Sequence, residues 1–285
     1  MKKLVQYIKE HKLLKETVWS ILTKAVTAIF LFGINIYLPR KLGVELYGKW
    51  SVLFSLLTIG ISVGNFGLNL SARKYVAQFR SSKSIRSILI DSLKLRIIIS
   101  LVFCLVLLII HTPLSNLIGN EELTKYIYLF IAVIFFSTIV EFLRGIFVGL
   151  QRMKYYFMMD TLDYSLVLLF IYLFLSFYLS INSVLQGYLA ANLIATVAGL
   201  AVLYLIFIRK SVKCNKSFYK DIFKYSLPLF IVSVGYLFIN EIASSTSEKV
   251  PCLGRSNPTS SASNVTISSE RALLPSFLIF IILLR

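Results

Sequence analysis

Long apolar runs of about twenty residues, divided by short polar stretches, carry the chain from Thr17 to Glu241. About 20 mainly apolar residues in helical form are needed to cross some 30 Å of hydrocarbon. The backbone finds no water there, so its N–H and C=O groups must bond to each other, which makes a helix the default. The pattern therefore predicts seven spans, over residues 17–38, 47–70, 89–110, 126–148, 161–179, 183–208 and 222–241. The fifth and sixth are parted only by Ser180, Ile181 and Asn182, which is a tight hairpin. Ahead of the first span, in the basic segment 1–16, lysines alternate with Leu4, Val5, Tyr7, Ile8, Leu13 and Leu14. That suits a short interfacial helix on the inner leaflet, or a plain basic tail.

Past Glu241 the pattern stops. Residues 243–285 are rich in Ser, keep no helical or strand period, and end in an apolar run, Phe277 to Leu284, too short to span a bilayer. This segment reads as foreign to the fold, the out-of-frame end of a longer protein cut short, with a native flexible tail as the other reading. The expected organisation is thus a basic segment at 1–16, a helical bundle at 17–242 and a Ser-rich tail at 243–285.

Composition supports the same class. The chain is 57% hydrophobic and 15% charged, whereas soluble domains have roughly 45–50% apolar and about 25% charged residues. The expectation is an all-α integral membrane protein of about seven transmembrane helices. Lys and Arg outnumber Asp and Glu by 30 to 13, and their placement shows why. If the N-terminus is cytoplasmic, the inner segments hold eighteen of the loop and helix-end cations, while the outer loops hold only Arg40, Lys41, Lys49 and Lys125. Cytoplasmic loops retain positive charge, so this split orients a multi-pass protein of the cytoplasmic (inner) membrane and explains the +17 without nucleic acid. The cations also suit anionic membrane lipids.

Enzyme chemistry finds no foothold. Cys104, Cys214 and Cys252 lack the paired spacing of a zinc or redox motif, and His11 and His111 are scattered. There is no Ser/His/Asp set, no phosphate-cradling Gly loop and no loop large enough for a catalytic domain. No cofactor, nucleotide or metal is implied. The informative residues are polar groups inside the spans, which are costly there and usually face a bundle interior or a water-filled path. Lys24 lies about two turns into the first span, with Asn35 about three turns beyond on nearly the same face. Lys94 and Arg96 sit near the start of the third span, suited either to a cavity or to snorkelling. These four are the candidate substrate contacts. Glu141 and Arg144, three apart, are expected to pair with each other. Asp160 and Asp163 are expected to cap the start of the fifth span. Asn65, Asn69 and Asn192 suit interhelical hydrogen bonds.

Four stretches then resemble one family. Tyr37-Leu38-Pro39-Arg40-Lys41-Leu42-Gly43-Val44-Glu45-Leu46-Tyr47-Gly48 is similar to the first external loop of Wzx-type polysaccharide and O-antigen flippases. Phe66-Gly67-Leu68 with Ser71-Ala72-Arg73 resembles the end of their second helix. Gly149-Leu150-Gln151-Arg152-Met153-Lys154 resembles the loop between their fourth and fifth helices, and Lys224-Tyr225-Ser226-Leu227-Pro228-Leu229 the start of their seventh. The resemblance implies the MOP superfamily, two helical lobes around a cavity worked by alternating access, of which this chain carries the first lobe and the first helix of the second. It also implies a function: flipping undecaprenyl-diphosphate-linked oligosaccharide for O-antigen, lipopolysaccharide, capsule or other surface polysaccharide, alongside other polysaccharide assembly proteins. A multidrug-type exporter, a membrane-embedded glycan polymerase or transferase, and a nonfunctional truncated remnant are the alternatives.

Overall fold

In the computed structural model the backbone is described for residues 2–80, 84–118, 122–208 and 218–248, and side chains for most of these. Every regular element among them is helical: α1 (Lys2–Gly64), α2 (Leu68–Gln78), α3 (Ile85–Ile118), α4 (Glu122–Gly149), α5 (Met153–Phe177), α6 (Ile181–Leu203) with a π-helical turn at Tyr204–Ile208, and α7 (Tyr219–Glu248). Of the tail expected at 243–285, residues 243–248 continue α7 as helix, and 249–285 lie outside the described residues.

Among the described residues five helices are long and apolar enough to cross a membrane, and the first of these segments, Leu14–Gly64, is 51 residues long. It holds two crossings because α1 breaks at Gly43 (φ 73°, ψ 174°), leaving a first arm at 2–42 and a second at 44–64. The sequence predicts a loop over 39–46; the structure turns the chain at one residue and keeps Pro39 inside the helix. The region with φ positive and ψ near 180° is open essentially to glycine alone, which is why a single residue suffices here. Residues 2–13 continue the first arm without a break, in place of a separate interfacial helix.

Two apolar clusters hold the bundle. In one, Leu68, Ala72 and Val76 of α2 meet Ile88 and Leu89 of α3 and Phe142, Leu143, Ile146 and Phe147 of α4. In the other, Ile34, Leu38 and Leu42 of the first arm and Trp50, Leu53 and Leu57 of the second meet Val133 and Ile134 of α4, Val167, Ile171 and Leu175 of α5, and Val184 and Leu185 of α6. α4, α5 and α6 contribute to both, and α4 also packs on α1, α2 and α3, which makes it the central helix. On α6 the buried face repeats small residues at every fourth position, Ser183, Gly187, Ala191, Ala195 and Gly199. In lipid the hydrophobic effect does not drive helices together, and small residues that let backbones approach take over that role. A Cβ at Gly187 would sit 3.0 Å from the backbone N of Ile171. The predicted hairpin is present, with Ser180 capping α6 by accepting from Ser183 N at 3.3 Å.

The basal end, where α5 and α7 begin, is tied by acids from other helices. Glu16 Oε2 accepts from Met153 N at 2.7 Å, and Asp91 Oδ2 accepts from Phe218 N at 2.9 Å. Both satisfy N–H groups at helix starts that have no intrahelical partner and sit at the positive end of the dipole. α5 starts at Met153, eight residues before the expected 161, so Asp160 and Asp163 stand about two to three turns inside it and do not cap it. Residues 1–234 form one compact unit and Gly235 opens a second, of which the end of α7 to Glu248 is described.

Candidate functional site

The polar side chains inside the bundle converge on Arg144, on α4. Its Nε ion-pairs with Asp160 Oδ1 at 2.9 Å, and Nη2 donates to Asp163 Oδ2. Both acids are on α5, three residues apart and so on one face. Thr27 Oγ1 on the first arm of α1 donates to Asp160 Oδ2 at 2.6 Å. The guanidinium carbon lies 5.1 Å from the centroid of the Tyr164 ring, within cation–π range. The expected local pair of Glu141 with Arg144 gives way to these bonds between helices: Arg144 Nη2 serves α5, and Glu141 Oε2 accepts from Asn65 Nδ2 at 2.5 Å. Helix spacing put Glu141 and Arg144 on one face, but α5 and Asn65, just past the second arm, supply better partners from the side.

Asn65, through its bond to Glu141, opens a second cluster beside the first, coupled to Arg144 by charge rather than by a hydrogen bond. Its Oδ1 accepts from Arg96 Nη2 at 2.8 Å, and Arg96 Nη1 donates to the carbonyls of Gly64 at 3.1 Å and Asn65 at 3.2 Å. These carbonyls end the second arm of α1, where helical C=O groups lack intrahelical donors. Arg96 is wholly buried. It acts as a charged cap on that helix end, at the negative pole of its dipole. The five charged groups are two guanidiniums, Arg96 and Arg144, and three carboxyls, Glu141, Asp160 and Asp163. Fully ionised, the set carries one excess negative charge, which one proton or one bound cation would balance.

The four residues singled out as substrate contacts separate. Arg96 lies inside the bundle on backbone carbonyls. Lys94, two residues earlier, is exposed on another face of α3. Lys24 and Asn35 are both exposed on the first arm, and their shared face is the side flanking the buried row Thr23, Thr27, Ile34 and Leu38. Of the asparagines, Asn65 bridges helices, whereas Asn192 donates within α6 to Tyr188 O at 2.8 Å. Thr27 and Tyr164 do not stand out in the sequence, because an uncharged hydroxyl in a span carries no signal until its partner is known.

A family model described as polysaccharide biosynthesis protein matches residues 13–261. The chain belongs to that family. Among solved structures, this polysaccharide biosynthesis protein resembles the outward-facing conformation of a multidrug resistance MATE family transporter of the MOP superfamily, with a TM-score of 0.70 at 16% identity over 83% of this chain and 55% of that one. It resembles MATE in complex with MaD5 with a TM-score of 0.67 at 17% identity, over 84% and 57% of the two chains. MATE in the straight conformation gives a TM-score of 0.68 at 16% identity, over 84% and 56%. The chain therefore spans little more than half the length of these transporters and shares their fold, as the resemblance to MOP flippases implied. No curated protein sequence matches it. The family member described here is thus a multi-pass membrane protein with a transporter fold, and its spans carry two adjoining clusters of bonded charges.

Proposed function

We propose that this lobe belongs to a flippase that moves undecaprenyl-diphosphate-linked oligosaccharide across the cytoplasmic membrane for surface polysaccharide assembly, with the N-terminus in the cytoplasm. The carrying observation is the family match over residues 13–261 on a MOP-type fold. A diphosphate head does not cross hydrocarbon unaided, and a cation along the path offsets its charge. Lys24 is the candidate contact, because it is exposed on the first arm one turn from Thr27, whereas Arg96 and Arg144 already have partners. Asn35, on the same face, offers hydrogen bonds to sugar hydroxyls. Lys94 is placed to meet lipid headgroups at the basal end, where Lys15, Arg73, Lys74, Arg152, Lys154 and Lys220 are also exposed. The working protein acts as a transporter and not as an enzyme.

The test is complementation of a flippase-null strain with a two-lobed version carrying Lys24→Ala. Surface polymer is expected to disappear while the protein level holds; unchanged polymer at equal protein level would overturn the assignment of Lys24. Multidrug export is the second reading, favoured by the multidrug resistance transporter among the similar structures. Dye efflux measured in the same strain separates the two: the flippase reading expects none.

A further inference from the structure

Between α1 and α2 the backbone leaves helical geometry for Asn65, Phe66 and Gly67, with positive φ at Phe66 (46°) and Gly67 (68°). A non-glycine residue with positive φ is uncommon and persists only where the surroundings enforce it. The surroundings here are explicit on both sides. On one side, Arg96 holds Gly64 O, Asn65 O and Asn65 Oδ1, and Asn65 Nδ2 holds Glu141. On the other, the first half of α7 lies directly against the break. A Cβ on Gly67 would stand 2.4 Å from Ser226 O and 2.7 Å from Phe230 N, so backbone meets backbone there with no room for a side chain. The Phe66 ring stacks on Phe230 at 4.4 Å and on Phe223 at 6.3 Å between centroids. Further along, Ser71 Oγ donates to Ile222 O at 2.9 Å and Lys74 sits over the Tyr225 ring at 3.6 Å. The same three residues thus end the second arm, contact the charge network and form the seat of α7.

We propose that Asn65–Phe66–Gly67 is a coupling joint, through which the state of Glu141 in the buried charge network sets the seating of α7 on α2, with Asn65 and Arg96 as the positioning residues. This goes beyond the flippase reading and holds for whatever cargo is carried. A packed joint of this kind has discrete arrangements, because close-packed elements do not deform continuously. If Glu141 releases Asn65, the two backbone bonds from Arg96 and the two positive-φ residues lose their shared constraint. The Phe66 ring and the Gly67 backbone then deliver that change to α7 directly.

The experiment is a distance measurement between spin labels at Ala77→Cys on α2 and Leu227→Cys on α7, both exposed sites, in the 285-residue chain with its native cysteines replaced, reconstituted in nanodiscs. Glu141→Ala is expected to shift the distance distribution, and Glu141→Gln, which keeps an acceptor but loses the charge, to shift it by less. In an Asn65→Ala background the Glu141→Ala shift is expected to fall below half its original size. Gly67→Ala is expected to move the distribution without touching the network. Should Asn65→Ala not accumulate, Asn65→Asp, which removes the donor and keeps the shape, serves in its place. An unchanged distribution in Glu141→Ala, or a shift of equal size with and without Asn65, would overturn the joint. Loss of polymer export in cells bears only on the flippase reading, so the two fail separately.

Discussion

Arg144 shows how the value of one residue depends on its neighbours. Removing one partner of a buried ion pair leaves an uncompensated charge and costs about 3–5 kcal/mol. Arg144→Ala strands both Asp160 and Asp163, so a marked fall in the thermal midpoint of detergent-solubilised protein is expected. Adding Asp160→Asn and Asp163→Asn to Arg144→Ala should recover most of the loss, because the stranded charges are then gone. Arg96→Ala exposes a different physics. It unbonds two backbone carbonyls and the Asn65 side chain inside the bundle, and leaving such groups unsatisfied costs about 1–3 kcal/mol each. Arg96→Lys should recover only part of that in the same melt, since an ammonium cannot reproduce the planar fork that reaches Gly64 O and Asn65 Oδ1 together. Some of this was legible beforehand: the charged residues within the spans stand out, and helix spacing places Asp160 with Asp163 on one face. Their partners were not legible, because Thr27 lies 133 positions from Asp160 and Asn65 lies 76 from Glu141.

At the scale of the element, glycine and small residues decide where helices turn and touch. A Cβ at Gly43 would meet nothing within 4 Å, so Gly43→Ala is penalised by backbone conformation alone, about 1–3 kcal/mol. The expected outcome is a destabilised but correctly inserted protein. At Gly187 the situation reverses, because φ is ordinary and the obstacle is the Ile171 backbone 3.0 Å away. Gly187→Leu should prise α6 from α5 and leave little monodisperse protein in size-exclusion chromatography, while Val197→Leu, on the exposed side of the same helix, is expected to be neutral. A helix stands at each of the seven predicted spans, counting the two arms of α1, and six of these lie in segments long and apolar enough to cross. Helix boundaries did not follow from the runs: α5 begins earlier than its apolar run because Glu16, from α1, satisfies its first N–H. That shift moved Asp160 and Asp163 from a helix start to the middle of the network.

Across the whole molecule, orientation is a matter of charge distribution. The exposed cations of the basal end include Lys15, Arg73, Lys74, Arg152, Lys154 and Lys220, while Arg40 and Lys41 are exposed at the other, with Lys49 half-buried beside them. Positive charge is retained in the cytoplasm, so a thiol introduced by Lys154→Cys, with the native cysteines replaced, should react with a membrane-impermeant maleimide only after the cells are opened. Lys41→Cys should react in intact spheroplasts; the reverse pattern would place the N-terminus outside. Sequence alone determined that this chain enters a membrane, about how often it crosses, and that its excess of Lys and Arg concentrates at one end, because hydrophobic length and loop charge act locally and need no partner. Only the tertiary structure decided which charges meet, that Arg96 caps a helix while Lys24 stays exposed, and that one three-residue break joins the charge network to α7. Those outcomes depend on side chains far apart in sequence, and a buried charge takes whichever partner the packing brings within reach.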